Sequence, residues 1–213
     1  VPLYLYDDNL FNDVSYWLNR SVLGVFLPRC LRAWGQRQDD SIRDSMYNWA
    51  GQDDYGPIAL YNAQFTPPEN PLSADARVQL AQDNLNTHLI PYITAHPETQ
   101  FDIFFPPYSA AEWATMQSKG TLEAMLTLRG LCYDALSVCD NVTIYDFSAR
   151  ADWVLDLNNY KDTLHYGEWI NDAITACIAR GESVVSSRGA LDAATDQLRA
   201  WANAQIEAGG WIF

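Results

Sequence analysis

Two short, almost wholly apolar runs constrain this chain more than any other feature. They are Phe101-Asp-Ile-Phe-Phe105, closed by Pro106-Pro107, and Val142-Thr-Ile-Tyr-Asp-Phe147. Runs of this length, rich in aromatic and β-branched side chains and bounded by turn formers, predict strands rather than helices. Between them, Ser109-Ala-Ala-Glu112 has the S-x-x-E form of a capping box, and a second helical pattern extends from about Thr121 to Val138. Strand, helices, strand is the order of a parallel pair joined by a helical crossover. Strands apolar along both faces predict helices on both sides of the sheet. The expectation is an α/β fold in a single domain, 1–213, long enough to bury a proper core.

The flanking pattern is also mostly helical. Val1–Asp8 reads as a short strand or an extended lead-in, and Asn12 or Asp13 caps a helical stretch ended by Pro28. A second helical patch covers Ser41–Trp49. Gly51–Pro71, with four prolines, predicts a long loop holding one short strand at Ile58–Tyr61. Ser73 is a good N-cap for a helix carrying Val78, Leu80, Ala81, Leu85, Leu89, Ile90 and Ile93 up to Pro97. Further helices are expected over Gly167–Arg180 and Leu191–Ala208.

Charge and composition exclude several functions. With 27 acidic against 13 basic residues the net charge is −14, so a nucleic acid backbone is not an expected partner and anionic membranes are disfavoured. No apolar run approaches the ~18 residues a transmembrane helix needs. The chain opens on Val1 without a charged-then-apolar leader, as a processed product would. Four cysteines (Cys30, Cys132, Cys139, Cys177) without a C-x-x-C pair, and three histidines, predict no metal site. Cys132 and Cys139 on one helix would stand ~10 Å apart, beyond disulfide reach unless the helix ended first. Asn19-Arg-Ser21 and Asn141-Val-Thr143 match the N-glycosylation pattern, a match read as chance. The 8 Trp, 12 Tyr and 8 Phe fit a ring-rich core or a groove that stacks on sugars.

In open parallel sheets, ligands sit beyond the carboxyl ends of the strands. Two segments leave those ends: Pro106-Pro107-Tyr108-Ser109, and the longer run from Asp146-Phe147-Ser148 to Gly167. The second contains Asp162-Thr-Leu-His165, beside Asn158, Asn159 and Tyr160. An imidazole titrates near neutral pH, and a carboxylate on one ring nitrogen fixes its tautomer and stabilises the imidazolium. The competing reading is a helix-entry turn in which Asp162 caps and His165 packs. Ser109 divides the same way, between N-cap and nucleophile at a helix start, and cleft lining suits both. Trp153, Tyr160 and Trp169 are core or the wall of a cleft. His88 and His96 read as structural or surface residues.

The segment Asn159-Tyr-Lys-Asp-Thr-Leu-His-Tyr-Gly-Glu-Trp-Ile-Asn171 resembles the D-x-x-H block of SGNH/GDSL hydrolases. Phe105-Pro-Pro-Tyr-Ser109, Asp156-Leu-Asn-Asn-Tyr-Lys-Asp162 and the opening Leu3-Tyr-Leu-Tyr-Asp-Asp-Asn9 look like a group of bacterial SGNH-like cell-envelope proteins. The resemblance implies a flavodoxin-like three-layer α/β/α sandwich of mainly parallel strands. It implies an esterase, deacetylase or O-acyltransferase acting outside the cytoplasm on an acylated carbohydrate or other envelope ester. His165 would be the base and Asp162 its orienting partner, with Tyr108, Ser109, Asn159 and Tyr160 lining the cleft and no metal or organic cofactor. The chain departs from the family pattern in having no G-D-S-like serine block and no G-x-N-D block. The expectation is therefore a fold incomplete at its N-terminus, a nucleophile upstream of Val1, and no activity from this chain alone. Two rivals stand beside it: a non-catalytic glycan- or protein-binding module, and an enzyme built around Ser109.

Overall fold

A computed structural model describes residues 18, 20, 22–28, 31–32, 53–63 and 72–209. The chain divides into two compact units, 1–52 and 53–213. In the first, Val22–Phe26 is a π-helical turn and Leu27 and Pro28 continue in helical conformation. The expectations for Val1–Asp8, Asn12, Asp13 and Ser41–Trp49 fall outside the described residues.

The second unit is mixed α/β and mostly helical. Its helices are α1 (Pro57–Asn62), α2 (Ala74–Asn84), α3 (Ile90–Ala95), α4 (Ala110–Ser118), α5 (Leu122–Leu136), α6 (Ala151–Val154), α7 (Glu168–Arg180) and α8 (Arg188–Glu207). The strands are β1 (Phe101–Phe105) and β2 (Val142–Asp146), with α4 and α5 as the crossover between them. They pair in parallel, Phe101 opposite Val142 through Phe105 opposite Asp146. On the far edge of β2, the N–H of Val185 donates to the Ile144 carbonyl at 2.8 Å and that of Asp146 to Ser183 at 2.9 Å.

Helices cover both faces of β2. On one side Ile144 packs with Leu85, Ile93 and Leu136, from the α2–α3 region and α5. On the other, Tyr145 and Phe147 meet Trp153 and the α7 residues Ile170, Ile174 and Cys177. Full burial of each such large side chain is worth ~1.5–3 kcal/mol. Strand β1 departs from the expected two-sided burial, because its residues alternate between half-buried and exposed. Phe104 remains 37% exposed, with its ring edge-on to Phe147 at 5.8 Å.

Local sequence signals account for most helix starts. The hydroxyls of Ser73 and Ser187 accept the N–H groups of Ala76 and Ala190, which starts α2 and begins α8 three residues before the expected Leu191. Helix α7 ends in a Schellman turn: Gly181 adopts φ 66°, its N–H donates to Ile178, and the N–H of Glu182 donates to Cys177.

Two expectations need correction, and the open question of the cysteines has an answer. Ile58–Tyr61 is helical, not a strand, because Pro57 stands at the start of α1, where its missing N–H costs nothing, and Leu60 is buried. The helix from Ser73 widens into a π-helical turn at Leu85–Leu89 just before Pro91, whose ring nitrogen cannot donate to a preceding carbonyl. Helix α5 does end before Cys139, yet Cys132, Cys139 and Cys177 are all free thiols, and Cys30 lies outside the described residues.

Two polar devices lock the strand ends. Asn141, just before β2, directs its side-chain amide at the carbonyls of Ile93, His96 and Thr99, at 3.2, 3.0 and 3.0 Å. These carbonyls lie at and beyond the C-terminus of α3, where those of Ile93 and His96 also accept the N–H groups of His96 and Thr99 at 3.2 and 3.1 Å. At the other end of β2, Arg129 reaches from α5 to Asp146, with Nη2 at 2.7 Å from Oδ2. Its guanidinium lies over the Phe105 ring at 4.6 Å and also donates to the Ser148 hydroxyl.

Candidate active site

The turn carrying Asp162 and His165 is closed by its own backbone. The N–H of Lys161 donates to the His165 carbonyl at 3.0 Å, and that of Gly167 to Asn159 at 2.8 Å. Tyr160 and Tyr166 bridge between these two bonds. Inside the loop, the Asp162 carboxylate organises the tip. Its Oδ1 accepts the N–H groups of Leu164 at 2.9 Å and His165 at 2.8 Å, and its Oδ2 lies 2.7 Å from His165 Nδ1. Of the competing reading, the capping by Asp162 holds, but His165 stands exposed rather than packed. One carboxylate caps the turn with one oxygen and holds the imidazole with the other.

Electrostatics follow from this geometry. Burial pushes the Asp162 carboxyl up, but the backbone N–H and ring of His165 and the N–H of Leu164 outweigh it, so the group sits below the usual carboxylate range. A carboxylate can only accept, so Nδ1 carries the proton and Nε2 is left as the basic nitrogen. The His165 side chain is 60% exposed while that of Asp162 is 13% exposed. Among the described residues, Asp162 is the only hydrogen-bond partner of the ring. An orienting acid below and an accessible base above can take up and return a proton at a bound substrate.

The loop after β1 supports this turn. Ser109 donates twice to the Thr163 carbonyl, from N–H at 3.2 Å and from Oγ at 2.7 Å. Its Oγ also accepts the N–H of Glu112 at 3.1 Å, the expected N-cap bond. The reciprocal half of the capping box is replaced, since the Glu112 carboxylate accepts from the Thr163 hydroxyl instead. Tyr160, fully buried, donates its hydroxyl to the Pro107 carbonyl at 2.7 Å. The two segments leaving the strand ends are thus joined through Ser109, Glu112 and Tyr160.

The remaining predicted residues divide between support and surface. Ser109 is 0% exposed with its hydroxyl fully engaged, so it presents no nucleophile, and neither it nor Tyr160 presents surface to a cleft. Tyr108 is half-buried against Trp113, and burial together with the nearby Glu112 charge raises its hydroxyl above the ordinary phenol range. Asn159 is also half-buried, donating to the Trp153 carbonyl at 3.1 Å and accepting from Trp169 Nε1 at 3.0 Å. Trp153 is core, stacked on Phe147, with the Arg150 guanidinium 4.2 Å from its ring centroid. His88 is exposed, and His96 pairs with Glu98 at the surface. Asp146 and Ser148 belong to the Arg129 cluster rather than to the dyad.

Sequence reasoning missed Arg129, Glu112 as a partner of Thr163, and Tyr55. The signal for Arg129 was present, as a lone cation within the apolar run Leu126-Thr-Leu-Arg-Gly-Leu131. Among the described residues, no group of three or more His, Cys, Asp or Glu side chains could hold a metal, and no helix is long and apolar enough to cross a membrane. Comparison with known proteins yields no matching family model, no matching curated protein and no matching solved structure.

Proposed function

We propose that this chain carries the acid–base half of an SGNH-type serine esterase, deacetylase or O-acyltransferase. Its substrate would be an acylated carbohydrate or related ester of the cell envelope, and its setting a flavodoxin-like three-layer α/β/α sandwich outside the cytoplasm. The observation that carries this reading is the 2.7 Å contact from Asp162 Oδ2 to the Nδ1 of an accessible His165. The parallel strand pair, with helices on both faces of β2, supports the proposed sandwich.

In the proposed reaction a serine hydroxyl outside the described residues attacks the ester carbonyl. Its proton passes to His165 Nε2, and Asp162 stabilises the resulting imidazolium. His165 then protonates the departing alcohol, leaving an acyl-serine. Water or an acceptor hydroxyl attacks that acyl group, with His165 taking its proton and returning it to the serine. This sequence uses no metal or organic cofactor.

The test is ester hydrolysis by the protein as its natural host makes it, with His165→Ala and Asp162→Asn. In comparable triads, loss of the orienting acid lowers kcat by ~10⁴ and loss of the base by ~10⁶. Wild-type turnover by His165→Ala refutes the reading. It would leave the second one, a non-catalytic binding module, which is favoured by the lack of a serine hydroxyl on the ring among the described residues.

A further inference from the structure

Trp169 lies four residues beyond His165 and remains 44% exposed in a structure that buries Trp113 and Trp153. Its exposure is not slack. The indole N–H is fixed on Asn159 Oδ1 at 3.0 Å, and Asn159 is in turn held by the Trp153 carbonyl. The six-membered ring lies against Gly167 so closely that a Cβ there would stand 2.4–2.5 Å from three ring atoms. Gly167 has φ −69°, so no left-handed conformation demands glycine, and the ring does. Tyr55 supplies a second half-exposed ring, with centroids 4.9 Å apart and planes inclined at 57°.

We propose that Trp169 and Tyr55 form a carbohydrate-binding subsite for a neutral pyranose beside the dyad. The C–H-bearing face of a pyranose is apolar and flat enough to lie on an indole, while its hydroxyls stay at the rim. A ring already fixed in orientation loses little rotamer freedom on binding, so more of the stacking energy appears as affinity.

The surrounding charge selects the sugar class. Glu168 is exposed, and Asp53 is half-buried and paired with Lys161 at 2.9 Å. Burial, then the Asp53 charge, with Glu168 adding and Lys161 opposing, hold the Tyr55 hydroxyl above the ordinary phenol range. Both carboxylates therefore act on the platform. A uronate or sulfated sugar would meet like charge there, whereas a neutral sugar can donate its hydroxyls to carboxylate oxygens.

As the substrate subsite of an esterase, the platform rests on the reading of Asp162 and His165 given above; as a sugar-binding surface it does not. Calorimetric titration of the full chain with cellotetraose, chitotetraose and tetragalacturonate tests it. Binding of at least one neutral tetramer is expected. Trp169→Ala should weaken that binding by at least about tenfold, equivalent to about 1.4 kcal/mol. Trp169→Phe and Tyr55→Ala should give smaller losses, and tetragalacturonate should bind more weakly than the neutral tetramer. The Phe variant keeps a ring on Gly167 and serves if the Ala variant does not fold. Sugar binding by the full chain, together with wild-type ester turnover by His165→Ala in the protein its natural host makes, would sink the catalytic reading and leave the subsite standing. No binding of either neutral tetramer, unchanged binding in both Trp169 variants, or preference for tetragalacturonate would overturn the subsite.

Discussion

Replacing Arg129 with Met tests how the carboxyl end of β2 is held. The Arg129 and Asp146 side chains are 4% and 9% exposed, so water does little to screen their charges. Methionine matches much of the aliphatic stem but leaves Asp146, among the described residues, with only the Ser148 N–H, at 2.9 Å, and the Ser148 hydroxyl as partners. Breaking one side of a buried pair costs ~3–5 kcal/mol, because the remaining charge is stranded in a poorly solvating interior. The guanidinium stacked over Phe105 is lost as well. For a urea m-value of ~2–3 kcal/mol/M, the unfolding midpoint should fall by about 1–2.5 M. Adding Asp146→Asn should return part of this loss, since the second change removes the stranded charge. The assay is equilibrium urea unfolding followed by circular dichroism. A single variant within ~1 kcal/mol of wild type would show that the pair is worth no more than a surface bridge, and the reasoning would fail.

Two further outcomes concern the dyad turn. Ser109→Ala removes an N-cap and a buried bond to Thr163, so it should cost ~1–3 kcal/mol in unfolding free energy and loosen the turn, seen as faster amide exchange at Leu164 and His165. Protection equal to wild type would contradict the proposed support. Asp162 has its pKa lowered by folding, so its stabilisation is complete above the unfolded value of about 3.9 and fades as pH falls through the lower folded value. Acid titration of stability should show this loss in the wild type and a flatter limb in Asp162→Asn. Identical limbs would refute it.

Much of this arrangement was legible in the sequence because its causes are local. The strands announced themselves as aromatic and β-branched runs stopped by Pro106-Pro107 or begun after Asn141, and Ser73 and Ser109 by hydroxyls at helix starts. Asp162 and His165 were visible because acid and base stand three positions apart within one turn. What stayed hidden depends on distant partners. Four apolar residues at Ile58–Tyr61 fit a strand or a helix equally, and the burial of Leu60 beside Ala111 and Tyr160 is tertiary. Arg129 finds Asp146 only after the crossover folds back, and Tyr55 meets Trp169 across more than a hundred residues of chain. Among the rings near the dyad, composition could not show that Trp153 and Tyr160 are buried while Trp169 faces solvent.

The bonds made by Asn141 bear on its match to a glycosylation signal. Its amide nitrogen is the atom a glycan would occupy, and in the folded chain that nitrogen faces three carbonyls. Attachment there would remove one of its hydrogens and force a bulky branch into the junction between α3 and β2. Modification of this half-buried asparagine would therefore compete with native packing, because a glycan there removes an N–H that now serves these carbonyls and crowds the junction.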